Sequence, residues 1–385
     1  MPSVTKPKAL LGWLNRQLPQ MLRTLETFTR TESPSTEKIA ADQCARVIAG
    51  EWKKRGVVVE LLLQKHRGAH IRVTVSSGNA NTRGQLLVLG HYDTVYASGT
   101  LSTMPFQTSA GRIYGPGVFD MKAGIVQALF ALDAIQHFHD NLSKRIVFLW
   151  TSDEEIGSES SRKTLESEAK RSDAVFVLEP SLGPKGLLKT ARKGVGEAEI
   201  TVRGRASHAG LAPEKGVNAI HELALQIARV KEWNDPSRGI SINAGLVEGG
   251  TRPNVIPDSA KVVLDLRALR IADMQKIERR LRGLGPILHG AKLKVRGGFS
   301  RAPLERKYSL ELFQRASQLA TQMGLAIGEA VAGGGSDGNL TAALGIPTLD
   351  GLGAVGDGAH SPGEYVFART MPQRAALLAT LLISS

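Results

Sequence analysis

The sequence predicts an α/β protein in which a small α+β domain interrupts a larger α/β domain. Three observations lead to this prediction. Short apolar runs alternate with helical patterns in the first part of the chain, which is typical of a largely parallel sheet. Near Leu188 the order becomes strand, helix, strand, strand, helix and strand, the plan of a split βαβ sandwich. The α/β character then returns, so we expect residues 1–188 and 299–385 to form the larger domain and residues 189–298 the insertion.

The larger domain is predicted to alternate helices with strands along the chain. Ser33-Pro34-Ser35 precedes its second helix and Gly56 ends it, as capping and breaking residues do. After a turn at Gly115-Pro116-Gly117, apolar residues at helical spacing from Met121 onward indicate the third helix. The predicted helices are residues 1–22, 36–55, a helix from residue 121 and residues 310–323. The predicted strands are residues 57–63, 71–75, 85–89, 146–150, 174–178 and 342–349.

The insertion is predicted to contain four strands and two helices, in about a hundred residues. Its predicted strands are residues 195–202, 240–247, 260–269 and 291–295. Its predicted helices are residues 217–230 and 272–284.

Composition narrows the class of protein. The chain has 385 residues and 42% hydrophobic residues, enough for two cores, and its 49 Lys and Arg against 36 Asp and Glu give a net charge of +13. Because no basic block of five or more residues occurs and aromatic residues are only 5%, we expect attraction of a small anionic substrate rather than nucleic-acid binding. No apolar run approaches the roughly 20 residues of a membrane span. The single cysteine, Cys44, lies in a helical apolar pattern, which indicates a buried core thiol, and one cysteine excludes an internal disulfide framework. The segment of residues 1–22 lacks the uninterrupted apolar stretch of a secretory signal, so we expect a cytoplasmic protein.

Metal-binding side chains follow the predicted strands at the points where those strands end. His91 and Asp93 follow one strand, Glu154 and Glu155 follow another, and Glu179 follows a third. Two further candidates are Asp120, which opens a helix after the glycine turn, and His360, which lies in a late loop. Since the carboxyl ends of strands in an open α/β sheet gather at one crevice, we expect these segments to converge.

The candidate residues have the composition of a site for two divalent ions. The carboxylates of Asp120, Glu155 and Glu179, together with a bridging hydroxide, balance the charge of two such ions. If each ion takes one histidine, one terminal carboxylate and a share of Asp120, a bridging water completes the open geometry of catalytic zinc. The pKa of that water falls from about 15.7 toward roughly 7. Glu154 is then free to accept its proton, and Asp93 can hold the second ring nitrogen of His91.

Eight short motifs occur in order between about Gly90 and Tyr365. They are Gly90-His-Tyr-Asp-Thr-Val95, Gly115-Pro-Gly-Val-Phe-Asp-Met-Lys-Ala-Gly124, Thr151-Ser-Asp-Glu-Glu-Ile-Gly157, Leu178-Glu-Pro180, Gly204-Arg-Ala-Ser-His-Ala-Gly210, Asn254-Val-Ile-Pro257, Gly333-Gly-Gly-Ser-Asp337 and Ala359-His-Ser-Pro362. Through these motifs the chain resembles the family of di-zinc aminoacylases and carboxypeptidases. That family includes carboxypeptidase G, acetylornithine deacetylase and succinyl-diaminopimelate desuccinylase, and the carboxypeptidase G branch is the most similar.

The resemblance implies a zinc-peptidase-like, three-layer catalytic domain with an inserted α+β, ferredoxin-like dimerisation domain. It implies that Asp120 bridges two metal ions. His91 and Glu179 would complete one metal site, and Glu155 and His360 would complete the other.

The resemblance also implies roles in catalysis and substrate binding. Glu154 would be the general base, and His208 of the inserted domain would help to polarise the scissile carbonyl. Asn254 and Arg301 would bind a free carboxylate of the substrate. An arginine suits that task independently of the family, because its planar fork can bind both carboxylate oxygens.

These observations predict a di-zinc hydrolase that cleaves an amide bond beside the free carboxylate of a small molecule or short peptide, and the resemblance alone implies a homodimer that forms through the inserted domain. Cobalt or manganese could replace zinc, since carboxylate-rich sites accept several metals. An N-acyl amino-acid deacylase of the acetylornithine deacetylase or desuccinylase type is the alternative enzyme, because the same machinery serves both reactions. A family member that binds ligands without catalysis is disfavoured by the complete set of metal ligands and by Glu154. A nucleic-acid-binding protein is the third alternative.

Overall fold

The computed structural model describes residues 6–76, 84–139 and 142–385. In this described part of the chain the α-helices are α1 Pro7–Arg30, α2 Lys38–Lys53, α3 Ala123–His137, α4 Arg162–Lys170, α5 Ala219–Lys231, α6 Ile271–Arg282, α7 Leu310–Gln322, α8 Asp337–Ala343 and α9 Met371–Ser384. Among the described residues no helix is both long and apolar enough to cross a lipid bilayer.

The β-strands of the same described residues are β1 Val58–Leu62, β2 His70–Val75, β3 Gln85–His91, β4 Gln107–Ser109, β5 Arg112–Tyr114, β6 Arg145–Thr151, β7 Ala174–Val177, β8 Leu188–Arg192, β9 Gly194–Arg203, β10 Ser207–His208, β11 Ser241–Gly249, β12 Val255–Ile256, β13 Ser259–Ala268, β14 Lys292–Arg301, β15 Glu329–Ala332, β16 Thr348–Leu349, β17 Gly356–Asp357 and β18 Tyr365–Phe367.

The chain forms two compact units. The first consists of Met1–Thr190, Arg306–Val331 and Ser336–Ser385, and the second consists of Ala191–Glu305 and Ala332–Gly335.

A six-stranded mixed sheet forms the centre of the first unit, in the order β1-β2-β6-β3-β7-β16. Strands β6, β3, β7 and β16 run parallel to one another, whereas β1 pairs antiparallel with β2, and β2 pairs antiparallel with β6. All seven residues of β3 are buried, because this central strand is covered on both faces. Helices α1, α3 and α9 pack against one another in the main core, and Cys44 of α2 is fully buried there, as predicted.

The second unit has the predicted order of strand, helix, strand, strand, helix and strand. Its four-stranded sheet has the order β11-β13-β9-β14 and is antiparallel throughout. Residues along β13 alternate between buried and half-buried, which is typical of a strand with one covered face. The apolar sides of α5 and α6 pack on that covered face, and Leu223 and Ile277 lie in the resulting core.

Several predicted elements differ from the structure in their extent or type. The N-terminal helix begins at Pro7 and continues to Arg30, beyond the predicted end at residue 22. The predicted strand at residues 342–349 is wrong over most of its length, since only Thr348 and Leu349 are extended. A capping box, in which the Ser336 hydroxyl accepts a hydrogen bond from the Gly338 amide, starts helix α8, and this helix continues to Ala343. Residues 344–347 are neither helix nor strand.

Candidate metal centre

The sheet of the first unit brings the predicted metal ligands to the carboxyl ends of its parallel strands. His91 is the last residue of β3, and Glu179 follows β7 by two positions. Glu154 and Glu155 begin a single helical turn that follows β6. This arrangement is the crevice at which ligands bind in open α/β sheets.

Asp120 and His360 reach the same crevice from loops. Asp120 lies between β5 and α3, next to Met121, and the peptide bond between these two residues is cis. His360 lies between β17 and β18 and has a φ of 61°, in the left-handed region that few residues other than glycine adopt. The backbone at His360 therefore turns sharply just where the side chain enters the site.

The five predicted ligands form two clusters that share the Asp120 carboxylate. In the first cluster, the His91 Nε2 atom lies 3.2 Å from Asp120 Oδ1 and 3.4 Å from Glu179 Oε1. In the second cluster, the His360 Nε2 atom lies 3.3 Å from Asp120 Oδ2 and 3.1 Å from Glu155 Oε2. Within each cluster the donor atoms lie within 4.8 Å of one another. Each oxygen of Asp120 therefore faces a different histidine.

Asp93 joins the first cluster to the turn that carries the two glutamates. Its side chain is fully buried; its backbone carbonyl oxygen forms a 3.0 Å hydrogen bond with His91 Nδ1, and its Oδ1 atom lies 3.4 Å from the same nitrogen. Its two carboxylate oxygens also accept hydrogen bonds of 3.3 Å from the backbone amides of Glu154 and Glu155. Because the ring nitrogen of His91 that faces Asp93 is the one opposite the cluster, Asp93 can fix the orientation of the imidazole.

The charges of the two clusters shift the pKa values of their members. Burial disfavours charge on His91, but the carboxylates of Asp120, Asp93 and Glu179 outweigh it and raise the pKa of His91 well above its usual value. Hydrogen bonds to Asp120 and Glu155 raise the pKa of His360 to about 10. Burial opposes ionisation of Asp120, whereas its contacts with His360 and His91 prevail and lower its pKa. The carboxylates thus favour positive charge at both histidines. A divalent cation bound in each cluster would supply that charge.

Glu364 is a buried residue of this site that the sequence analysis missed. Its Oε1 atom accepts hydrogen bonds from the backbone amides of Phe119, at 2.7 Å, and Asp120, at 3.0 Å. Its Oε2 atom accepts from the amide of Gly117, at 3.1 Å, and from the Tyr96 hydroxyl, at 2.7 Å. Burial raises the pKa of Glu364 to about 7, although these hydrogen bonds partly oppose the shift. The only sequence signal for this residue is its position four places after His360, in the same loop.

The remaining predicted site residues belong to the second unit. His208 in β10 pairs with Val255 in β12, and the carbonyl oxygen of Asn254 accepts a 3.0 Å hydrogen bond from the amide of Ala209. His208 and Asn254 are therefore neighbours within this unit. Arg301, the last residue of β14, is buried. The predicted parts of these three residues in catalysis and substrate binding stay predictions.

The donor set fits divalent metal ions. It combines imidazole nitrogens with carboxylate oxygens, and these are the ligands that zinc and related ions use in catalytic sites. Two three-residue clusters joined by one carboxylate are the arrangement of a two-metal hydrolase. The fold and the site together therefore place this protein in the class of metal-dependent hydrolases.

Comparison with known proteins identifies the family. Residues 87–384 match the model described as Peptidase family M20/M25/M40, and the chain belongs to this family. The predicted family and the predicted class of enzyme, a carboxypeptidase-type metallohydrolase, are thereby confirmed.

Similar proteins extend over almost the whole chain. The chain is 30% identical to carboxypeptidase G2 of Pseudomonas sp. (strain RS-16) over 376 residues, which cover 95% of this chain and 89% of that protein. It is 28% identical to succinyl-diaminopimelate desuccinylase of Stenotrophomonas maltophilia (strain R551-3) over 348 residues, 84% of this chain and 88% of that protein. The crystal structure of aminopeptidase PepT from Bacillus cereus ATCC 10987 superposes with a TM-score of 0.80 at 21% identity and covers 95% of this chain and 98% of that one. This last similarity shows the fold alone.

Proposed function

We propose that this protein hydrolyses an amide bond next to a free carboxylate, as a glutamate-carboxypeptidase-like metallopeptidase. The observation that carries the proposal is the position of Asp120 between two histidines. Its Oδ1 and Oδ2 atoms lie 3.2 Å from His91 Nε2 and 3.3 Å from His360 Nε2, respectively. The similarity to carboxypeptidase G2 over 95% of the chain supports this reaction type.

Two zinc ions are the cofactors that we propose, with cobalt or manganese as possible replacements. His91 and Glu179 would hold one ion, Glu155 and His360 the other, and Asp120 both. When bound, such ions supply Lewis acidity for the scissile carbonyl and make a water molecule more acidic. Asp93 holds the His91 ring in the orientation that turns Nε2 toward the site.

Glu154 is the general base in this proposal. Its backbone amide donates to Asp93, so the carboxylate that orients His91 also anchors the turn on which Glu154 lies. Glu154 accepts one proton from the attacking water as the carbon–oxygen bond forms. It then delivers that proton to the nitrogen of the leaving amine as the carbon–nitrogen bond breaks. The second product is a carboxylic acid.

His208 is the proposed hydrogen-bond donor to the substrate carbonyl. Its Nδ1 atom accepts hydrogen bonds of 3.1 Å from the backbone amides of Gly210 and Leu211. A neutral histidine that accepts at Nδ1 carries its proton on Nε2. Nε2 is therefore a donor, which is the role required for stabilising a developing oxyanion. Asn254, a neighbour of His208, and Arg301 would bind the free carboxylate of the substrate.

Dimerisation through the second unit is also part of the proposal. Strand β11 lies at one edge of the four-stranded sheet, and its residues Leu246 and Val247 are 66% and 59% exposed. An exposed edge strand with large apolar side chains favours pairing with another chain. Sedimentation of Leu246→Asp should shift a dimer toward monomer, whereas Ile287→Asp, at an exposed apolar position off the sheet, should not. Equal sedimentation of both variants would contradict this interface.

The experiment that tests the function is a substrate panel assayed with and without added metal. The panel contains acyl-glutamates, dipeptides and N-acetyl amino acids, and the protein is first stripped with a chelator. We expect cleavage of acyl-glutamates or dipeptides that returns when zinc or cobalt is added. Absence of turnover on every substrate after metal addition would contradict an enzymatic role, and turnover without metal would contradict the metal centre.

An N-acyl amino-acid deacylase is the second candidate. The similarity to succinyl-diaminopimelate desuccinylase over 84% of the chain favours it. The same residues would carry out this reaction, so the substrate panel discriminates the two: preference for N-acetyl or N-succinyl amino acids would replace the first proposal by the second. The cytoplasmic location expected from the sequence stays part of the proposal in either case.

A further inference from the structure

Arg374, in the first turns of α9, carries a buried positive charge that the catalytic proposal does not use. Its side chain is 5% exposed. Its Nη2 atom donates a hydrogen bond to the backbone carbonyl of Gly186, whereas its Nη1 atom has no hydrogen-bond partner among the described residues. A guanidinium has five N–H donors, so one carbonyl leaves most of its capacity unused.

A buried charge of this kind is costly without a counter-charge. Burial lowers the pKa of Arg374 to about 10, and burial is the only cause of that shift. Removing a cation from water costs several kcal/mol unless an anion compensates it. Among the described residues, no carboxylate pairs with this guanidinium to offset the cost of removing its charge from water.

A cavity of about 290 Å³ lies beside Arg374, and we call it the Arg374 cavity. Its polar lining includes Lys185, Arg369, Thr370 and Gln373, and the described residues that line it include no Asp or Glu. Apolar side chains form the remaining wall. Three cations thus surround one space that is large enough for a small anion.

The same cavity lies at the N-terminus of a long helix. Helix α9 begins at Met371 and has 14 residues, and Thr370, Gln373 and Arg374 from its start line the cavity. The Met371 amide already donates to the Ala368 carbonyl, and Pro372 has no N–H, so these two residues offer no free amide to an anion. The helix dipole nevertheless favours negative charge at this end. Here the dipole acts together with the buried guanidinium and with two further basic side chains.

We propose that the Arg374 cavity binds a phosphoryl group, either as inorganic phosphate or as the head of a small phosphomonoester. A doubly charged oxyanion matches the three cations better than a single carboxylate, and the fork of an arginine binds two phosphate oxygens at once. The bound anion would supply acceptors to the buried guanidinium and neutralise its charge. This site is separate in its residues from the metal centre and does not depend on the proposed reaction.

Thermal unfolding of the metal-loaded protein in increasing inorganic phosphate, at ionic strength held constant with chloride, tests the proposal. We expect a saturable rise in Tm, because a ligand that binds only the folded state stabilises it. Arg374→Leu should abolish the rise. If that variant fails to fold, Arg369→Ala and Lys185→Ala still test the proposal. Both residues are exposed, so we expect these variants to fold and their phosphate response to be measurable. Each should weaken the apparent Kd by about tenfold, the equivalent of 1.4 kcal/mol.

Lys65→Ala is the matched control, because Lys65 is exposed, basic and outside the lining of the cavity. It should respond to phosphate as the wild type does. Glycerol phosphate in place of inorganic phosphate distinguishes the two sources: tighter binding of the ester would favour a phosphomonoester, and weaker binding would favour the free ion. The proposal is overturned if phosphate raises Tm no more than chloride does. It is equally overturned if all three cavity variants keep the wild-type response, since phosphate would then bind elsewhere, such as at the metal centre.

Discussion

The backbone amide of Asp120 donates a 3.0 Å hydrogen bond to Glu364 Oε1, so a carboxylate outside the two clusters holds the residue that both clusters share. The same Oε1 atom accepts from the amide of Phe119. Oε2 accepts from the amide of Gly117 and from Tyr96. Glu364 therefore fixes the backbone from Gly117 to Asp120, the segment that delivers Asp120 to the site.

We expect Glu364→Gln to loosen the Asp120 loop. The glutamine carbonyl can replace only one carboxylate oxygen, so its amide group would face a backbone N–H donor, and a buried donor without an acceptor costs about 1–3 kcal/mol. Metal affinity should fall about 10–100-fold, as for other residues that support metal ligands. Urea unfolding measures the first effect, and zinc competition with a chromophoric chelator measures the second.

Tyr96→Phe is the control for that prediction, because it removes one of the hydrogen bonds to Glu364 and leaves the backbone contacts in place. Its losses should be smaller in both assays. If Glu364→Gln binds zinc as tightly as the wild type does, the carboxylate is not needed to hold Asp120.

The metal ligands could be predicted from the sequence because each follows a recognisable element. An apolar run identifies the strand before His91, and the carboxyl ends of parallel strands meet at one edge of a sheet. Glu364 gives no such signal. It lies in an irregular loop, and its burial results from contacts with the Gly117–Asp120 segment, which is about 245 residues earlier in the chain.

Secondary structure was predictable where a single pattern decided it. Strand β13 of the α+β unit alternates between buried and half-buried positions, and such period-two patterns allowed the element order of this unit to be predicted. Residues 342–349 were misjudged because an apolar run of this length suits a strand or a buried helix equally. The capping box at Ser336 starts helix α8, which takes in only residues 342 and 343 of this run, and its effect depends on side-chain contacts rather than on periodicity. Helix α9 was not predicted, because it is buried on nearly all sides and has no amphipathic pattern.

Asp93→Asn should impair the metal centre while leaving the fold intact. Asn keeps the size of the side chain, but its amide nitrogen replaces one carboxylate oxygen and cannot accept the hydrogen bond that this oxygen accepts from the backbone amide of Glu154 or of Glu155. We expect a loss of about 10–100-fold in zinc affinity or in kcat/KM, measured at saturating metal for the latter. Ser35→Ala, which removes only the hydroxyl that donates to Asp93, is the matched control and should lose less. Wild-type values in both assays would contradict an orienting role for Asp93.

His70 should make the stability of the protein depend on pH. It is buried near Ser152 and Ser160, and burial lowers the pKa of His70 below its usual 6.5, although Asp153 and Asp93 partly oppose the shift. The unfolded chain then binds a proton more readily than the folded chain. Stability that comes from the neutral ring is therefore fully present above pH 6.5 and is lost as the pH falls below that value.

Urea unfolding of the wild type and of His70→Gln between pH 5 and 8 measures this effect. The advantage of the wild type in free energy of unfolding should be constant above about pH 6.5. Below it the advantage should shrink by at most about 1.4 kcal/mol per pH unit, the limit for one proton. If the free energies of unfolding of the wild type and of His70→Gln differ by the same amount across the whole pH range, His70 has the same pKa in the folded and the unfolded chain.

Glu154→Gln separates the general base from the metal ligands. The substitution keeps the shape of the side chain and removes its ability to take a proton, so kcat should fall about 10²–10⁴-fold. Metal content, measured by mass spectrometry of the dialysed protein, should stay that of the wild type.

The adjacent Glu155→Gln is the matched comparison, since Glu155 Oε2 lies 3.1 Å from His360 Nε2 in the second cluster. That variant should lose metal as well as activity, and excess zinc should restore part of its turnover but none of that of Glu154→Gln. Full turnover of Glu154→Gln would mean that another group accepts the proton. Loss of metal from both variants would mean that Glu154 is a metal ligand rather than the general base.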